Sequence, residues 1–328
     1  MTASVEIKKP TAGDRAALIE MRLIAVRRAA QNTNFYDFSP ADGTPPPPVT
    51  PGAHIDLHLP NGMIRQYSLV SARTGNGIYT VGIKRDPASR GGSAYAHDHL
   101  RAGDILPVGQ PRNNFPLCLT AKTSIFIAGG IGITPLWSMI EELESQGRDW
   151  RLFYSCRMRA EALFLDKFQN DKRVVLNFDD ENNGKFLDIA GIVAGALEDA
   201  HFYCCGPTPM LKALETATTI VPVDQVHVEY FTAAQQAATE GGFRVVLARS
   251  GVEFDVEPGQ TILQVLREQG LDIATSCEQG VCGLCETPVL EGEPDHRDEV
   301  LTDAERAAGD RMMICCSGCK SSRIVLDI

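Results

Sequence analysis

The stretch SCEQGVCGLC, residues 276–285, sets three cysteines at the spacing C-x4-C-x2-C, with glycines at 280 and 283 keeping the chain thin between them. Thiols this close along a chain dictate a loop wrapped around something the sulfurs share. Three thiolates do not complete a four-coordinate site, so the fold must return a fourth ligand from elsewhere.

The redox compartment decides what ten cysteines in 328 residues are for. The N-terminal MTASVEIKKPTAGDR lacks the apolar core of a signal peptide, and the longest apolar runs, such as residues 125–128 and 245–248, are strand-length. A cytoplasmic chain without a membrane span is expected, where thiols stay reduced and serve as metal ligands or free thiols. C-x4-C-x2-C with a distant fourth cysteine is the spacing of plant-type [2Fe-2S] ligation, whereas zinc sites more often pair cysteines as C-x2-C knuckles. The fourth ligand must come from MMICCSGCK, where Cys315, Cys316 and Cys319 leave 29, 30 and 33 residues after Cys285. In an extended MMIC strand neighbouring side chains point to opposite faces, so one of Cys315 and Cys316 faces the cluster. The metal set read here is Cys277, Cys282, Cys285 and Cys315, with Cys316 and Cys319 as buried or surface thiols. Backbone N–H groups around Gly280 and Gly283 are expected to reach the sulfurs.

The rest of the chain divides by pattern. Residues 1–16 read as a polar tail. Residues 17–118 alternate apolar and polar in short runs, AHIDLHL, MIRQYSLV, GIYTVGIKR and GDILPVG, between Gly, Pro and Asn clusters, which predicts an antiparallel barrel or sandwich. Over 119–231 strands alternate with helices: SIFIAGG, PLWSMIEELESQG, WRLFYSCR, a helical AEALFLDKFQ, VVLNFDD, HFYCCG and PTPMLKALETATT. That order predicts a parallel sheet with helices on both faces. TAAQQAATEGG, 232–242, reads as a linker, and 243–328 opens with a hairpin turning at Ser250 and Gly251 that leads into a helix.

Two glycine turns carry the nucleotide reading. AGGIGITP places Gly129, Gly130 and Gly132 between a strand and a helix, where unpaired N–H groups and the helix dipole suit a pyrophosphate. CCGP places Cys205, Gly206 and Pro207 at the end of a later parallel strand, on the same carboxyl edge. In RQYSL, Arg65 and Tyr67 share one face of a strand, a charge beside a flat ring. Downstream, Arg90, Gly91, Gly92 and Ser93 form a set suited to a terminal phosphate. No acid follows Arg157 directly in YSCRMRAE, and Arg157 and Arg159 could meet a 2′-phosphate, so NADH and NADPH both stay open on the residues alone.

Charge is lopsided. From residue 243 onward 16 Asp and Glu face 8 Lys and Arg, so −8 of the chain's −11 lies in that quarter. Nucleic acid is excluded as a partner for such a surface, and a basic protein face fits it.

RQYSL, KRDPASRGGS, AGGIGITP, CCGP, HVEYF, CEQGVCGLC, DHRDEVL and MMICCS follow one another as in the phthalate dioxygenase reductase family, relatives of vanillate O-demethylase reductase, which the chain resembles from about residue 17 to 328. The resemblance implies an FMN-binding antiparallel β-barrel, an NAD-binding α/β parallel-sheet domain and an α+β, β-grasp plant-type ferredoxin domain. It implies electron transport from NADH through FMN and a [2Fe-2S] cluster to a terminal Rieske-type non-haem iron oxygenase of aromatic catabolism, by a cytoplasmic monomer. Arg65, Gln66, Tyr67 and Ser68 would line the flavin with Gly82, Ile83 and Lys84, and Arg90, Gly91, Gly92 and Ser93 would surround its phosphate. Thr134 would lie between flavin and nicotinamide, Phe231 beside the isoalloxazine, and Cys205 near the nicotinamide with Gly129, Gly130, Gly132, Gly206 and Pro207. Ser68, Thr134, Cys205 and Phe231 would be the catalytic set. Where relatives commonly read C-V-S-R after the fourth ligand, this chain reads Cys315, Cys316, Ser317, Gly318. A stand-alone NAD(P)H diaphorase or a redox sensor are the alternative readings.

Overall fold

The computed structural model describes residues 18–328 apart from 74, 76, 88–90, 169 and 272. The expected tail at 1–16 and Arg90 lie outside the described residues. The chain separates into two compact units, 18–232 and 233–328.

In the first unit six antiparallel strands run in the order β4-β3-β6-β1-β2-β5: β1 (Ile19–Ala30), β2 (Thr33–Pro40), β3 (His54–His58), β4 (Ile64–Ser68), β5 (Tyr79–Lys84) and β6 (Ile105–Val108). A bridge between Leu69 and Val81 joins the outer strands and closes the barrel. The period of two sends Met21, Leu23, Tyr36, Phe38, Ile55, Leu57, Val81, Ile83, Leu106 and Val108 into one apolar core. Helix α1 (Gly92–His99) follows β5.

A parallel sheet follows, ordered β11-β10-β7-β8-β9, from β7 (Thr123–Gly129), β8 (Asp149–Cys156), β9 (Val174–Phe178), β10 (Ala200–Cys205) and β11 (Val226–Glu229). Its helices are α2 (Ile133–Ser145), α3 (Leu165–Phe168), α4 (Ile189–Ala194) and α5 (Thr208–Ala217). Strand β7 is apolar on both faces: Phe126 and Ala128 pack with Leu136, Met139 and Ile140 of α2, while Ile125 and Ile127 pack with Leu211 and Leu214 of α5. Such continuous apolar runs are what a sheet covered on both sides requires. The helix expected over AEALFLDKFQ is instead a 3₁₀ turn, Arg159–Glu161, and the single turn α3, because Phe164 between them sits at φ 59°. In that bend Phe164 stacks on Trp137 at 4.7 Å and on Phe35 of the barrel at 5.6 Å, which ties barrel to sheet.

In the second unit the sheet order is β13-β12-β18-β14-β16, with β12 (Phe243–Leu247), β13 (Glu253–Val256), β14 (Glu286–Glu291), β16 (Arg311–Met313) and β18 (Arg323–Leu326). A small pair, β15 (Pro294–Asp295) and β17 (Gly318–Cys319), lies apart from it. Strands β12 and β18 are parallel, and the other neighbours antiparallel. Helix α6 (Ile262–Glu268) starts on a capping box of Thr261 with Gln264 and lays Ile262, Leu263, Val265 and Leu266 onto the sheet. Helix α7 (Asp303–Ala308) precedes β16. Of the linker expected at 232–242, residues 233–242 pack with this unit: Ala238 is buried and its N–H donates to the Cys316 carbonyl at 2.7 Å. Among the described residues no helix is long and apolar enough to cross a membrane.

Candidate functional site

The cysteine loop in the second unit joins α6 to β14, and its described residues form no helix or strand. Cys277, Cys282, Cys285 and Cys315 are all buried. The Cys277 sulfur is in hydrogen-bonding contact with those of Cys282 and Cys315, and Cys285 with Cys315. Contact with Cys277 and then burial push the Cys282 thiol well up, and contact with Cys315 and then burial do the same to Cys285. Thiols packed this way resist ionisation unless a cationic partner takes the protons' place, which suits iron. Among the described residues no three His, Cys, Asp or Glu groups converge as for a single ion. The N–H groups of Gln279 and Val281 donate to the Cys277 sulfur at 3.3 and 3.4 Å.

The strand argument for Cys315 does not describe the structure. Strand β16 ends at Met313, and residues 314–316 form a turn held by the Cys316 and Ser317 N–H groups on the Met313 carbonyl at 3.2 and 2.9 Å. In that turn Cys315 joins the sulfur group, whereas the Cys316 sulfur lies beneath Gly280, 2.4 Å from where a Cβ would stand. Cys316 and Cys319 make a second C-x2-C pair in the sequence, but 30 residues separate it from the Cys282 and Cys285 pair, more than the 15–20 of the paired-knuckle zinc pattern. The Cys319 sulfur turns elsewhere, to Ser321 at 3.1 Å.

Two contacts shape the loop, and sequence reading assigned a role to neither. Arg267 of α6 donates to the Thr275 hydroxyl at 2.6 Å and the Glu278 carboxylate at 2.8 Å, holding Glu278 at φ 54°. The DHRDEVL segment braces the other side: the Glu299 N–H donates to the Gly280 carbonyl at 2.9 Å, and Asp298, fully buried, accepts from Val300 and Leu301 at 3.1 and 2.8 Å.

In the first unit, Arg65 of β4 crosses the start of α1. A Cβ on Gly92 would fall 2.6 Å from its Nε, and Gly91 adopts φ 96°, so these glycines let backbone N–H groups and a guanidinium meet at one point. Ser93 bonds the Asp86 N–H at 3.2 Å through its hydroxyl. Burial pushes the Tyr67 phenol well up. Alternation puts Arg65 and Tyr67 on one face of β4 and Gln66 with the buried Ser68 on the other. On β5, Ile83 points into the barrel core, and Lys84 pairs with Glu161 at 2.8 Å. A Cβ on Gly82 would stand 3.0 Å from the Thr134 methyl, so the barrel strand meets the first turn of α2 there.

The two glycine turns meet as the sheet order requires, since β7 and β10 are neighbours with Ala128 beside Cys205. A Cβ on Gly129 would lie 2.4 Å from the Pro207 ring and 3.0 Å from the Gly206 Cα, and one on Gly132 would lie 2.2 Å from the Cys205 carbonyl oxygen. Gly130 adopts φ 54° with open space around it. Beside Cys205 in the β10–β11 ladder stands Glu229, which the sequence reading passed over. Burial raises its carboxyl to about 8, and burial followed by the Glu229 charge pushes the Cys205 thiol well up. An acid at the end of the short strand VHVE, directly before the aromatics Tyr230 and Phe231, was the available signal. Phe231, just beyond β11, is partly exposed.

Comparisons with known proteins match this layout. A family model described as a 2Fe-2S iron-sulfur cluster binding domain matches residues 245–320, and one described as an oxidoreductase NAD-binding domain matches 126–216. The chain is 50% identical over 315 residues to the phenoxybenzoate dioxygenase subunit beta of Ectopseudomonas oleovorans, covering 95% of this chain and 98% of that one. It is similar to the solved phthalate dioxygenase reductase, described as a modular structure for electron transfer from pyridine nucleotides to [2Fe-2S], with TM-score 0.73 and 35% identity over 97% of this chain and 100% of that one. It is also similar to an intact type IV self-sufficient cytochrome P450 monooxygenase, with TM-score 0.85 and 38% identity, covering 95% of this chain and 41% of that longer one.

Proposed function

Because the chain belongs to the phthalate dioxygenase reductase family, we propose that it takes hydride from NADH onto FMN and delivers single electrons, through its [2Fe-2S] cluster, to a terminal Rieske-type non-haem iron oxygenase. The chain is an oxidoreductase with an NAD-binding and a 2Fe-2S domain. The observation that carries the proposal is the meeting of Gly82 with Thr134, which brings the strand after RQYSL against the glycine turn of the parallel sheet. One site thereby has a flavin-suited wall and a nucleotide-suited wall.

The protein residues divide the work. Arg65 and the N–H groups at Gly91 and Gly92 would hold a terminal phosphate, a charge-assisted cradle without bulk. Gly129, Gly132 and Gly206 would let the two turns pack directly on each other, so that both present backbone N–H groups to a pyrophosphate. Thr134, whose hydroxyl donates to the Ile131 carbonyl at 3.0 Å, would keep its methyl toward the ring space beside Gly82. Buried Cys205 and the half-buried Glu229 beside it would close the nicotinamide end against water and keep their protons there. Cys277, Cys282, Cys285 and Cys315 would hold the cluster, Cys277 with two N–H donors on its sulfur. FMN, when bound, supplies a carrier for either one or two electrons, the conversion that a hydride donor and a one-electron cluster require.

The experiment is an anaerobic titration with NADH, followed by visible absorption and electron paramagnetic resonance, then mixing with a Rieske oxygenase. Flavin bleaching with a reduced-cluster signal, and electron delivery that slows as salt screens the acidic second unit, is the expected result. A reduced cluster that passes nothing to any oxygenase, while binding of another protein changes with redox state, would favour the sensor reading.

A further inference from the structure

At the carboxyl edge of the parallel sheet, two arginines follow β8 and three consecutive acids follow β9. The ladder runs on past both strand ends: the Asp179 N–H donates to the Cys156 carbonyl and the Asp180 N–H to the Arg157 carbonyl, each at 3.1 Å. Asp179, Asp180 and Glu181 are therefore held beside Arg157 and Arg159. Arg159 is engaged in a fork with Glu181, Nε to Oε1 at 2.8 Å and Nη2 to Oε2 at 2.7 Å, and its guanidinium lies 4.3 Å from the centre of the Phe178 ring. Asp180 adds to the negative field on that guanidinium.

In a dinucleotide site of this topology the pyrophosphate sits on the first glycine turn and the adenosine ribose reaches the end of the next strand. There a carboxylate takes a 2′-hydroxyl and an arginine takes a 2′-phosphate. Strand β8 is that next strand, with Ser155 beside Gly129, and Arg157 follows Gly132 by 25 positions. Two arginines at this place would by themselves favour NADPH.

We propose that Glu181 sets the coenzyme choice: by closing Arg159 into a bidentate pair stacked on Phe178, it turns a two-arginine 2′-phosphate site into one selective for the 2′-hydroxyl of NADH. This rests on the reading of the chain as a nicotinamide-nucleotide oxidoreductase. Arg157 and Arg159 against Asp179, Asp180 and Glu181 leave the strand ends net negative, so a phosphomonoester dianion is repelled on approach. To recruit Arg159 it must also displace both of the fork's hydrogen bonds. An exposed ion pair is individually weak. Selectivity comes from the fork being filled and the acids remaining, which together deny the phosphate its planar bidentate partner.

The test compares wild type, Glu181→Gln, and Glu181→Gln with Arg159→Ala, as holoprotein. Two readouts are taken: kcat/KM for NADPH and NADH with ferricyanide, and calorimetric binding of adenosine 2′,5′-bisphosphate against AMP. In Glu181→Gln the NADPH to NADH ratio is expected to rise at least about tenfold, a single decade of transition-state binding, with tighter bisphosphate binding. Adding Arg159→Ala should remove both gains. An unchanged ratio in Glu181→Gln, a gain that survives Arg159→Ala, or a wild type that prefers NADPH would each overturn the proposal. A wild type that oxidises neither nucleotide and binds no AMP would instead remove the underlying functional reading, and this proposal with it.

Discussion

Gly132→Ala tests whether the two glycine turns act as one site. Gly132 has φ −61° and ψ −6°, an ordinary helical conformation, so alanine meets no backbone penalty. Space is the obstacle: its Cβ would stand 2.2 Å from the Cys205 carbonyl oxygen, 2.5 Å from the Cys205 carbonyl carbon and 3.0 Å from the Gly206 nitrogen. Non-bonded heavy atoms settle at about 3.5 Å, so the turns must part by roughly 1 Å, and both obstructing groups are backbone. Overpacking of this kind costs ~1–3 kcal/mol of stability, and a 1 Å displacement at a reacting centre costs about 100-fold in rate. Gly130→Ala is the comparison: its Cβ would meet nothing within 4 Å, but φ 54° puts alanine in the left-handed region, at a cost of roughly 1–2 kcal/mol. The two variants should therefore melt at similar temperatures, while anaerobic stopped-flow reduction of the flavin by NADH slows far more in Gly132→Ala. Equal flavin reduction by wild type and Gly132→Ala, with equal KM for NADH, would refute a nucleotide site built jointly by the turns.

Three other outcomes follow from the same structure. Cys315→Ser should lose or grossly alter the visible cluster absorption, whereas Cys316→Ser and Cys319→Ser should retain it. Arg65→Ala should release FMN more readily, by roughly 10- to 150-fold in dissociation constant for a charge-assisted contact of ~1.5–3 kcal/mol, measured by fluorescence of the freed flavin. For Glu229, burial raises the folded carboxyl from 4.5 to about 8, so between those values the folded state holds a proton that the unfolded state has lost. Its contribution makes stability fall as pH rises through that window and level off above it. Melting curves against pH should show this slope in wild type and a shallower one in Glu229→Gln.

Much of this was legible because local spacing encodes local geometry. RQYSL, GIYTVGIKR and GDILPVG lie on strands β4, β5 and β6, since period-two alternation is what a barrel wall demands. Both glycine turns were legible from glycine clusters at strand ends, although what demands glycine there is tertiary: only glycine clears the Pro207 ring and the Cys205 carbonyl across the sheet. What the sequence hid depends on tertiary contact. AEALFLDKFQ has helical periodicity, yet Phe164 leaves it to stack on Trp137 and Phe35, and the helix breaks. The choice of Cys315 came from strand alternation where the structure has a turn, so a different geometry stands behind the same residue. Glu229 and Arg267 matter through Cys205 and Glu278, 24 and 11 residues away, partners that neither helix nor strand periodicity connects.

The position of β18 has a consequence for how the second unit comes to exist. It is the last strand in sequence, yet it lies in the middle of its sheet, parallel to β12 on one side and antiparallel to β14 on the other. As the chain is synthesised, the β12–β13 hairpin and the β14–β16 pair emerge first, as two half-sheets that cannot join. Each exposes an unpaired edge until β18 inserts between them, and such edges invite pairing with other chains. Val245 and Leu247 on one half and Val289 on the other share a core with Ile324 and Leu326, so closure of that core waits for the final strand. The cysteine loop bridges the two halves, joining α6 to β14, and it therefore stays open to the surrounding solution until then. Closure of the loop between the two halves thus depends on β18, the strand that joins them.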